Sequence, residues 1–176
     1  MFCLESTLAI WERCRAWVFQ LLFFVLVWWV VQWLYTQKLL DVGETLPAFE
    51  LVTLEQEVVS SDSLRGRPTL LYFFAPWCGV CHFSIDAVDD LKLSNPNLNV
   101  IAVALDYQST TEVDEFIAQH DLTIPVVLGD RAMANAYKIT AFPTYYTIDS
   151  AGIVVSKDMG VTTSAGLLAR TWLAKQ

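Results

Sequence analysis

Hydrophobic and polar positions follow three patterns along this chain. Residues 16–35 form one apolar run without a charged side chain. Further on, short continuous apolar runs, such as residues 69–74 and 99–105, alternate with longer stretches that are apolar on one side. The short runs are typical of strands buried on both faces of a sheet, and the one-sided stretches are typical of amphipathic helices.

The predicted elements therefore alternate between strands and helices. We predict strands over residues 49–54, 69–74, 99–105, 125–128, 144–148 and 153–157, and helices over residues 79–93, 110–120, 131–137 and 163–174. The first of these helices should carry Val80, Phe83, Val88 and Leu91 near one face, and Thr110 should cap the second. β-α-β units followed by a hairpin and a helix define an α/β/α sandwich with a mixed central sheet.

The apolar run predicts a transmembrane helix over residues 16–36. A helix of about twenty residues crosses the bilayer's hydrocarbon core, about 30 Å thick. A buried core helix of this kind is rare, and a cleaved signal peptide would have a shorter apolar stretch followed by small residues. Arg13 and Arg15 precede the run and Lys38 follows it, so the positive-inside rule favours an N-terminus in the cytoplasm.

These patterns divide the chain into four parts. They are a cytoplasmic N-terminus over residues 1–15, an anchor in the lipid bilayer over 16–36, a linker over 37–46 and an α/β domain over 47–176. The domain should then lie on the periplasmic, extracytoplasmic side of the inner membrane. Residues 41–176 hold eight Lys or Arg and seventeen Asp or Glu, a formal charge of −9, which argues against nucleic acid as a partner.

Four cysteines fall into two groups. Cys3 and Cys14 precede the apolar run and receive no role. Cys78 and Cys81 form a Cys-x-x-Cys pair directly after a predicted buried strand and at the start of a helix. A helix N-terminus stabilises a thiolate, and a thiolate is the attacking species in disulfide exchange. We therefore predict a redox-active pair in which Cys78 is the nucleophile and Cys81 resolves the mixed disulfide.

Two motifs together resemble the thioredoxin superfamily. They are Trp77-Cys78-Gly79-Val80-Cys81 and, downstream, Ala141-Phe142-Pro143-Thr144. The resemblance implies a thioredoxin-like α/β/α sandwich, a cis-proline at Pro143 that faces the cysteines, and substrate contacts by Trp77 and Phe142. The N-terminal strand, residues 64–68 and the single anchor are more similar to the TlpA/ResA/DsbE branch, which implies an extracytoplasmic reductase linked to cytochrome c maturation.

The chain departs from that resemblance at two acidic positions. Thioredoxin has a buried Asp six residues before the first cysteine, where this chain has Tyr72. The TlpA branch often has a Glu three residues after the second cysteine, where this chain has Ser84. Both acids are implied to handle the proton of the resolving thiol, and helical geometry does not favour Asp86 as a replacement. His82 stands where relatives carry Lys or Arg, and we interpret it as a partly exposed helix residue.

Other features receive structural interpretations. We interpret the pairs Asp89-Asp90 and Asp114-Glu115 as solvated helix faces. We interpret five aromatic residues as part of the core around the strands: Tyr72, Phe73, Phe74, Tyr145 and Tyr146. Residues 78–82 match the haem-attachment pattern Cys-x-x-Cys-His, but the predicted strand and helix leave no open loop there. Neither a zinc ligand set nor a nucleotide-binding loop is present in the sequence, so we predict no cofactor and no resident metal.

The sequence thus predicts a thiol–disulfide oxidoreductase, working as a reductase. Its partners would be client proteins with disulfides and a membrane thiol that donates electrons. Two alternatives stay open. One is a disulfide oxidase or isomerase, and the other is a non-enzymatic protein that binds a metal such as Cu(I), or an apo-cytochrome, through the two thiolates.

Overall fold

A computed structural model of the protein describes residues 3–36, 39–54, 56–162 and 164–174. It contains two compact units, Met1–Gln37 and Lys38–Gln176. The first unit holds the helix α1 (Cys3–Thr36), on which Trp17, Phe23 and Trp29 are exposed. Over the part of the chain described here, no helix combines the length and the apolar character needed to cross a membrane. The anchor that the sequence predicts falls on α1 and stays a prediction.

The second unit is built on a five-stranded mixed sheet. Its strands, with a small hairpin that precedes them, are β1 (Glu50–Val52), β2 (Val58–Ser60), β3 (Thr69–Phe74), β4 (Asn99–Ala104), β5 (Val126–Leu128), β6 (Thr144–Ile148) and β7 (Val154–Met159). The order in the large sheet is β5-β4-β3-β6-β7, and β1 and β2 form a separate antiparallel pair. β3 runs parallel to β4 and antiparallel to β6, which confirms the predicted mixed sheet.

Helices cover both faces of this sheet. They are α2 (Gly79–Ser94), α3 (Thr110–Gln119), α4 (Arg131–Ala136) and α5 (Ser164–Leu173). Every residue of β3 is buried, and alternate side chains enter opposite cores. Leu70, Tyr72 and Phe74 pack with α2, α3 and α5, whereas Leu71 and Phe73 pack on the side of α4. The predicted α/β/α sandwich is therefore present.

The structure corrects two details of the predicted helices. In α2, Val80 and Phe83 are 40% and 87% exposed, because the buried face is the one that begins with Cys81 and continues through Ser84, Ile85 and Val88. In α3, the N-cap residue is Ser109 rather than Thr110.

Asp89 corrects a third expectation, since it is buried rather than solvated. Its carboxylate accepts hydrogen bonds from the backbone N–H groups of Thr123 and Ile124 and from the Thr123 hydroxyl. These bonds tie α2 to the segment that leads into β5. Asp90, Asp114 and Glu115 are exposed, as predicted.

Both edges of the large sheet meet other parts of the chain. At the β5 edge, Thr53 forms a bridge with Val127. At the other edge, Thr45 bridges Ile153, and the Gly43 N–H donates to the Val154 carbonyl at 2.8 Å. Leu39 and Leu40 are also buried, so this part of the predicted linker packs into the second unit.

Candidate active site

The two cysteines lie at the N-terminus of α2, immediately beyond the buried end of β3. Cys78 is the N-cap residue of the helix, and its Sγ accepts the Cys81 N–H at 3.2 Å. The Cys78 N–H donates to the Ala75 carbonyl at 3.0 Å, which closes the turn between strand and helix. Both thiols are free, and Cys81 is completely buried while Cys78 is 6% exposed. The sequence motif therefore forms the strand–turn–helix context that it predicts.

Trp77 and the loop at Pro143 border the cysteine pair. The Trp77 indole N–H donates to the Asp106 carbonyl at 2.9 Å, and its ring meets Phe142 edge to face with centroids 5.9 Å apart. The Phe142–Pro143 peptide bond is cis, as the resemblance implies. Trp77 stays 63% exposed although its position is fixed. The structure thus brings together the five predicted site residues, which are Trp77, Cys78, Cys81, Phe142 and Pro143.

Neutral hydroxyl groups surround Cys81 on its buried side. The Tyr72 hydroxyl lies 3.0 Å from Ser84 Oγ and donates to the Cys81 carbonyl at 3.3 Å. The Ser84 hydroxyl donates to the Val80 carbonyl at 3.1 Å. The Tyr145 ring packs against Tyr72, and its buried hydroxyl has no hydrogen-bond partner among the described residues. At the two positions where the family resemblance implies acidic residues, this chain therefore has Tyr72 and Ser84, which are uncharged and hydrogen-bond to each other.

This environment keeps Cys81 in its thiol form. Burial, with a contribution from the hydrogen bond to Cys78, raises the pKa of Cys81 to about 12. The hydrogen bond from Tyr72 acts in the opposite direction and lowers that pKa. Burial also raises the pKa of Tyr72 well above its usual range, so the Tyr72 hydroxyl keeps its proton and remains a donor. Cys81 is thus a protonated thiol at neutral pH, with one neutral donor placed to favour its thiolate.

A second polar group next to the cysteines joins α2 to α3. His82 Nδ1 lies 2.8 Å from His120 Nε2, and His120 Nδ1 lies 2.8 Å from Asp86 Oδ1. His82 is half-buried, in agreement with the partly exposed helix residue that the sequence predicts, and its ring packs on Phe116. Asp86 contacts His120 and not Cys81. His120 lies thirty-eight positions from His82, and no local motif in the sequence marks the pair.

Within the described ranges, no group of three or more His, Cys, Asp or Glu side chains is arranged to hold a metal ion.

Thiol–disulfide exchange needs a reactive thiol, whose thiolate a helix N-terminus stabilises, and a second thiol close enough to displace the bound partner. The fold and this cysteine site meet that need, and together they define a thioredoxin-like thiol–disulfide oxidoreductase.

Comparison with known proteins gives the family. The model of the AhpC/TSA family matches residues 42–157, and the chain belongs to this family. It is 32% identical over 133 residues to the thiol-disulfide oxidoreductase ResA of Oceanobacillus iheyensis, covering 72% of this chain and 69% of that protein. It is 29% identical over 140 residues to the thioredoxin-like protein YneN of Bacillus subtilis, covering 77% of this chain and 82% of the relative.

Solved structures show the same fold. A putative thiol:disulfide interchange protein DsbE from Chlorobium tepidum superposes with a TM-score of 0.70 at 27% identity, covering 77% of this chain and 97% of that one. StoA from Bacillus subtilis superposes with a TM-score of 0.63 at 25% identity, covering 71% and 96%. The similarity lies in the thioredoxin-like part of the chain.

Proposed function

We propose that this protein reduces disulfide bonds in client proteins through Cys78 and Cys81. The observation that carries the proposal is the position of two free thiols in the first turn of α2, where the Cys81 N–H already donates to Cys78 Sγ at 3.2 Å. The Cys78 thiolate attacks one sulfur of a client disulfide, forming a mixed disulfide and releasing one client thiolate. Cys81 then attacks Cys78 Sγ and releases the second client thiol. Two electrons pass to the client, and a Cys78–Cys81 disulfide remains.

The start of α2 favours the first step. As N-cap residue, Cys78 has its sulfur beside the Cys81 N–H at the start of the helix, and the helix dipole adds positive potential there. The Cys81 N–H bond to Cys78 Sγ strengthens when the sulfur is an anion, because charge-assisted hydrogen bonds exceed neutral ones. The negative charge of the Cys78 thiolate is therefore stabilised mainly by backbone groups.

The second step requires the buried Cys81 to lose its proton. Among the residues that the structure describes, no carboxylate bonds to this thiol, and the released client thiolate is the base that the reaction itself supplies. The Tyr72 hydroxyl then favours the Cys81 thiolate by donating a hydrogen bond to it, in line with its effect on the pKa of Cys81. We propose that resolution is assisted by neutral donors rather than by a general base.

A client chain would lie across Trp77 and the Phe142 loop. A cavity of about 510 Å³ is lined by Asp106, Tyr107, Arg131 and Phe142, among others. A second cavity of about 300 Å³ lies on the His82 side of Trp77 and is lined by Glu112 and Phe116, among others. Trp77 lines the second cavity and contacts Phe142 of the first, so an extended peptide could occupy both while its disulfide meets Cys78.

Trapping tests this mechanism directly. A Cys81→Ser variant should accumulate a mixed disulfide with a client or a disulfide-containing peptide, and a Cys78→Ala variant should form none. Insulin reduction should be lost in both. If the Cys78→Ala variant reduced insulin at the wild-type rate, the assignment of the nucleophile would be wrong.

The direction of electron flow is tested by the reduction potential. We propose a reductase, so equilibration with glutathione should give a value near that of thioredoxin, about −270 mV. A value near that of the oxidant DsbA, about −120 mV, would instead identify a disulfide oxidase. Reduction of the Cys78–Cys81 disulfide would come from a membrane thiol donor.

We also propose that residues 16–36 anchor the protein, with the second unit on the periplasmic side of the inner membrane. The support is the uncharged run in the sequence and the exposed apolar side chains on α1. The full chain should remain in the membrane fraction after alkaline carbonate washing, whereas residues 38–176 should be released. Protease added to intact spheroplasts should digest the second unit. Release of the full chain by carbonate would contradict the anchor.

A further inference from the structure

His82, His120 and Asp86 form a continuous hydrogen-bonded chain that ends on the loop before Cys78. His82 Nε2 lies 3.0 Å from the Pro76 carbonyl oxygen, and its Nδ1 lies 2.8 Å from His120 Nε2. His120 Nδ1 lies 2.8 Å from Asp86 Oδ1. The chain therefore links the Pro76 carbonyl, two residues before Cys78, to α3 and back to α2.

The groups at the two ends of this hydrogen-bonded chain determine how many protons the two histidine rings carry. A carbonyl oxygen and an ionised carboxylate only accept hydrogen bonds, so His82 Nε2 and His120 Nδ1 must both carry protons. The bond between the rings needs a third proton, on His82 Nδ1 or on His120 Nε2. Two neutral imidazoles carry only two protons in total. With Asp86 ionised, the observed set of bonds thus belongs to a histidine pair that shares one extra proton and a positive charge.

Loss of that extra proton leaves three contacts and only two ring protons. One contact must then place two lone pairs against each other and break. The outer contact at Pro76 is a natural place for this, because Asp86 and the ring packing hold His120. Both histidine rings pack at a tilt against Phe116, which is itself buried and stacked on Phe74 at the end of β3. The pair is therefore held from the core side, and the Pro76 loop is the part that can be released.

Several other charged or titratable groups face this pair. Glu112 and Glu115 of α3 line the same cavity as His82, and Asp121 follows His120 in the chain. Cys78 and Cys81 lie in the turn of α2 that precedes His82, and the Asp106 carbonyl holds Trp77. The carboxylates favour the protonated pair. A thiolate at Cys78 favours it as well, since opposite charges stabilise each other.

We infer that His82, His120 and Asp86 act as positioning residues that fix the Pro76–Cys78 segment while the histidine pair holds its extra proton, and release it when that proton is lost. This inference adds a proton-dependent element to the proposed exchange reaction and rests on Cys78 as its reacting thiol. The exchange rate should accordingly change with pH as the histidine pair gains or loses this proton.

Nuclear magnetic resonance of the ring nitrogens tests the proton count without using enzyme activity. The chain has two histidines, so the full-length protein in detergent gives two sets of ring signals. On the acid side, both His82 Nε2 and His120 Nδ1 should carry protons, and the two rings should titrate together. Asp86→Asn should move this transition to lower pH, because the carboxylate favours the cation. Asp90→Asn, which removes an exposed carboxylate from the same helix, should leave it in place.

The rate of Cys78 alkylation by iodoacetamide in the reduced protein tests the link to the site. Wild type should show a step at the pH of the ring transition, Asp86→Asn should show it at lower pH, and His120→Gln should lack it. A melting curve checks that His120→Gln is folded, and Asp86→Asn changes a side chain that is 66% exposed. Independent ring titrations, or the same rate profile in all variants, would overturn the inference. Failure of Cys81→Ser to trap a client would count against the proposed function and leave the ring titration unaffected.

Discussion

Tyr72 and Ser84 occupy the positions where the thioredoxin resemblance places acidic residues, and they hydrogen-bond to each other beside Cys81. An acid there would remove a proton from the resolving thiol. A phenol and an alcohol can only donate to the thiolate once it exists. The exchange chemistry of this protein should therefore depend on hydrogen-bond donation around Cys81.

Replacing Tyr72 by Phe tests this dependence. The variant loses the donor to Cys81 but keeps the aromatic ring in the core. One hydrogen bond to a charged group is worth about 1.5–3 kcal/mol, so decay of the mixed disulfide should slow by about tenfold or more. Rapid-mixing measurements with a disulfide peptide would give this rate. Tyr137→Phe removes a hydroxyl on the other face of the sheet, where it donates to the Pro47 carbonyl at 2.8 Å, and should leave this rate unchanged. An unchanged rate in Tyr72→Phe would contradict the proposal.

The raised pKa of Cys81 also predicts how stability depends on pH. An unfolded cysteine ionises near pH 8.5, whereas Cys81 in the folded protein does so near 12. The unfolded state thus releases its proton first, and the reduced protein loses stability as pH rises from about 8.5 towards 12. Between pH 8 and pH 10, the reduced wild type should lose about 2 kcal/mol more than Cys81→Ser, which has no thiol to ionise. Urea unfolding under reducing conditions measures this, and equal losses would contradict the expectation.

At the scale of elements, the position of α2 depends on a buried carboxylate as well as on apolar packing. Asp89 accepts bonds from Thr123 and Ile124, which lie 34 and 35 positions away in the chain. The helix that carries the cysteines is thereby fixed to the segment that enters β5. The alignment of the site should be sensitive to this contact although it lies about three helical turns from Cys78.

Asp89→Asn should therefore destabilise the fold. An amide oxygen accepts weaker bonds than a carboxylate oxygen, and the amide NH₂ group replaces an oxygen that accepts from the Thr123 hydroxyl at 3.0 Å, so the free energy of unfolding should fall by about 1–3 kcal/mol. Chemical denaturation measures the change. The neighbouring exposed variant Asp90→Asn is the matched control and should stay within about 0.5 kcal/mol of wild type. Equal stability of the two variants would mean that the Asp89 bonds contribute no net stabilisation.

The sequence predicts strands well where both faces are buried. It predicts the burial of a side chain less well where the residue that this side chain contacts is distant in the chain. The bounds of β3 and β6 are those predicted, and both strands are buried along their whole length. Phe83 was assigned to the wrong face, since an apolar residue does not reveal which side of α2 meets the sheet. Asp89 was assigned to solvent, since Thr123 is brought to it only by folding.

The candidate site shows the same division between local and distant signals. Trp77, Cys78 and Cys81 form one short motif, and Phe142-Pro143 forms another, so the sequence alone could identify them. The sequence marks Tyr72 and Ser84 only as departures from a family pattern and does not predict that they contact each other. His120 could not be found, because its role depends on how α3 packs against α2.

At the scale of the whole molecule, the two compact units make different contributions. The cores on both faces of the sheet are drawn from residues 39 onwards. The burial of Leu39 and Leu40 shows that the second unit begins before the predicted domain boundary at residue 47.

Residues 38–176 should therefore fold without the first unit. We expect a single cooperative unfolding transition and insulin reduction at the rate of the full chain in detergent. A protein that starts at residue 47 should be less stable, because it lacks Leu39, Leu40 and the strand-like contacts of Gly43 and Thr45. Thermal unfolding followed by circular dichroism would test both proteins. Equal melting temperatures of the two would contradict a second unit that begins before residue 47.

The covered edges of the large sheet bear on how another polypeptide can be recognised. An open edge strand accepts a foreign strand and thereby promotes aggregation. Here β5 has three residues and meets Thr53, while Thr45 covers the start of the opposite edge and β7 carries the charged residues Lys157 and Asp158. Neither edge offers a long apolar template. In the proposed reaction, a disordered client would therefore be held at the cysteines with little risk of being drawn into a growing β-aggregate.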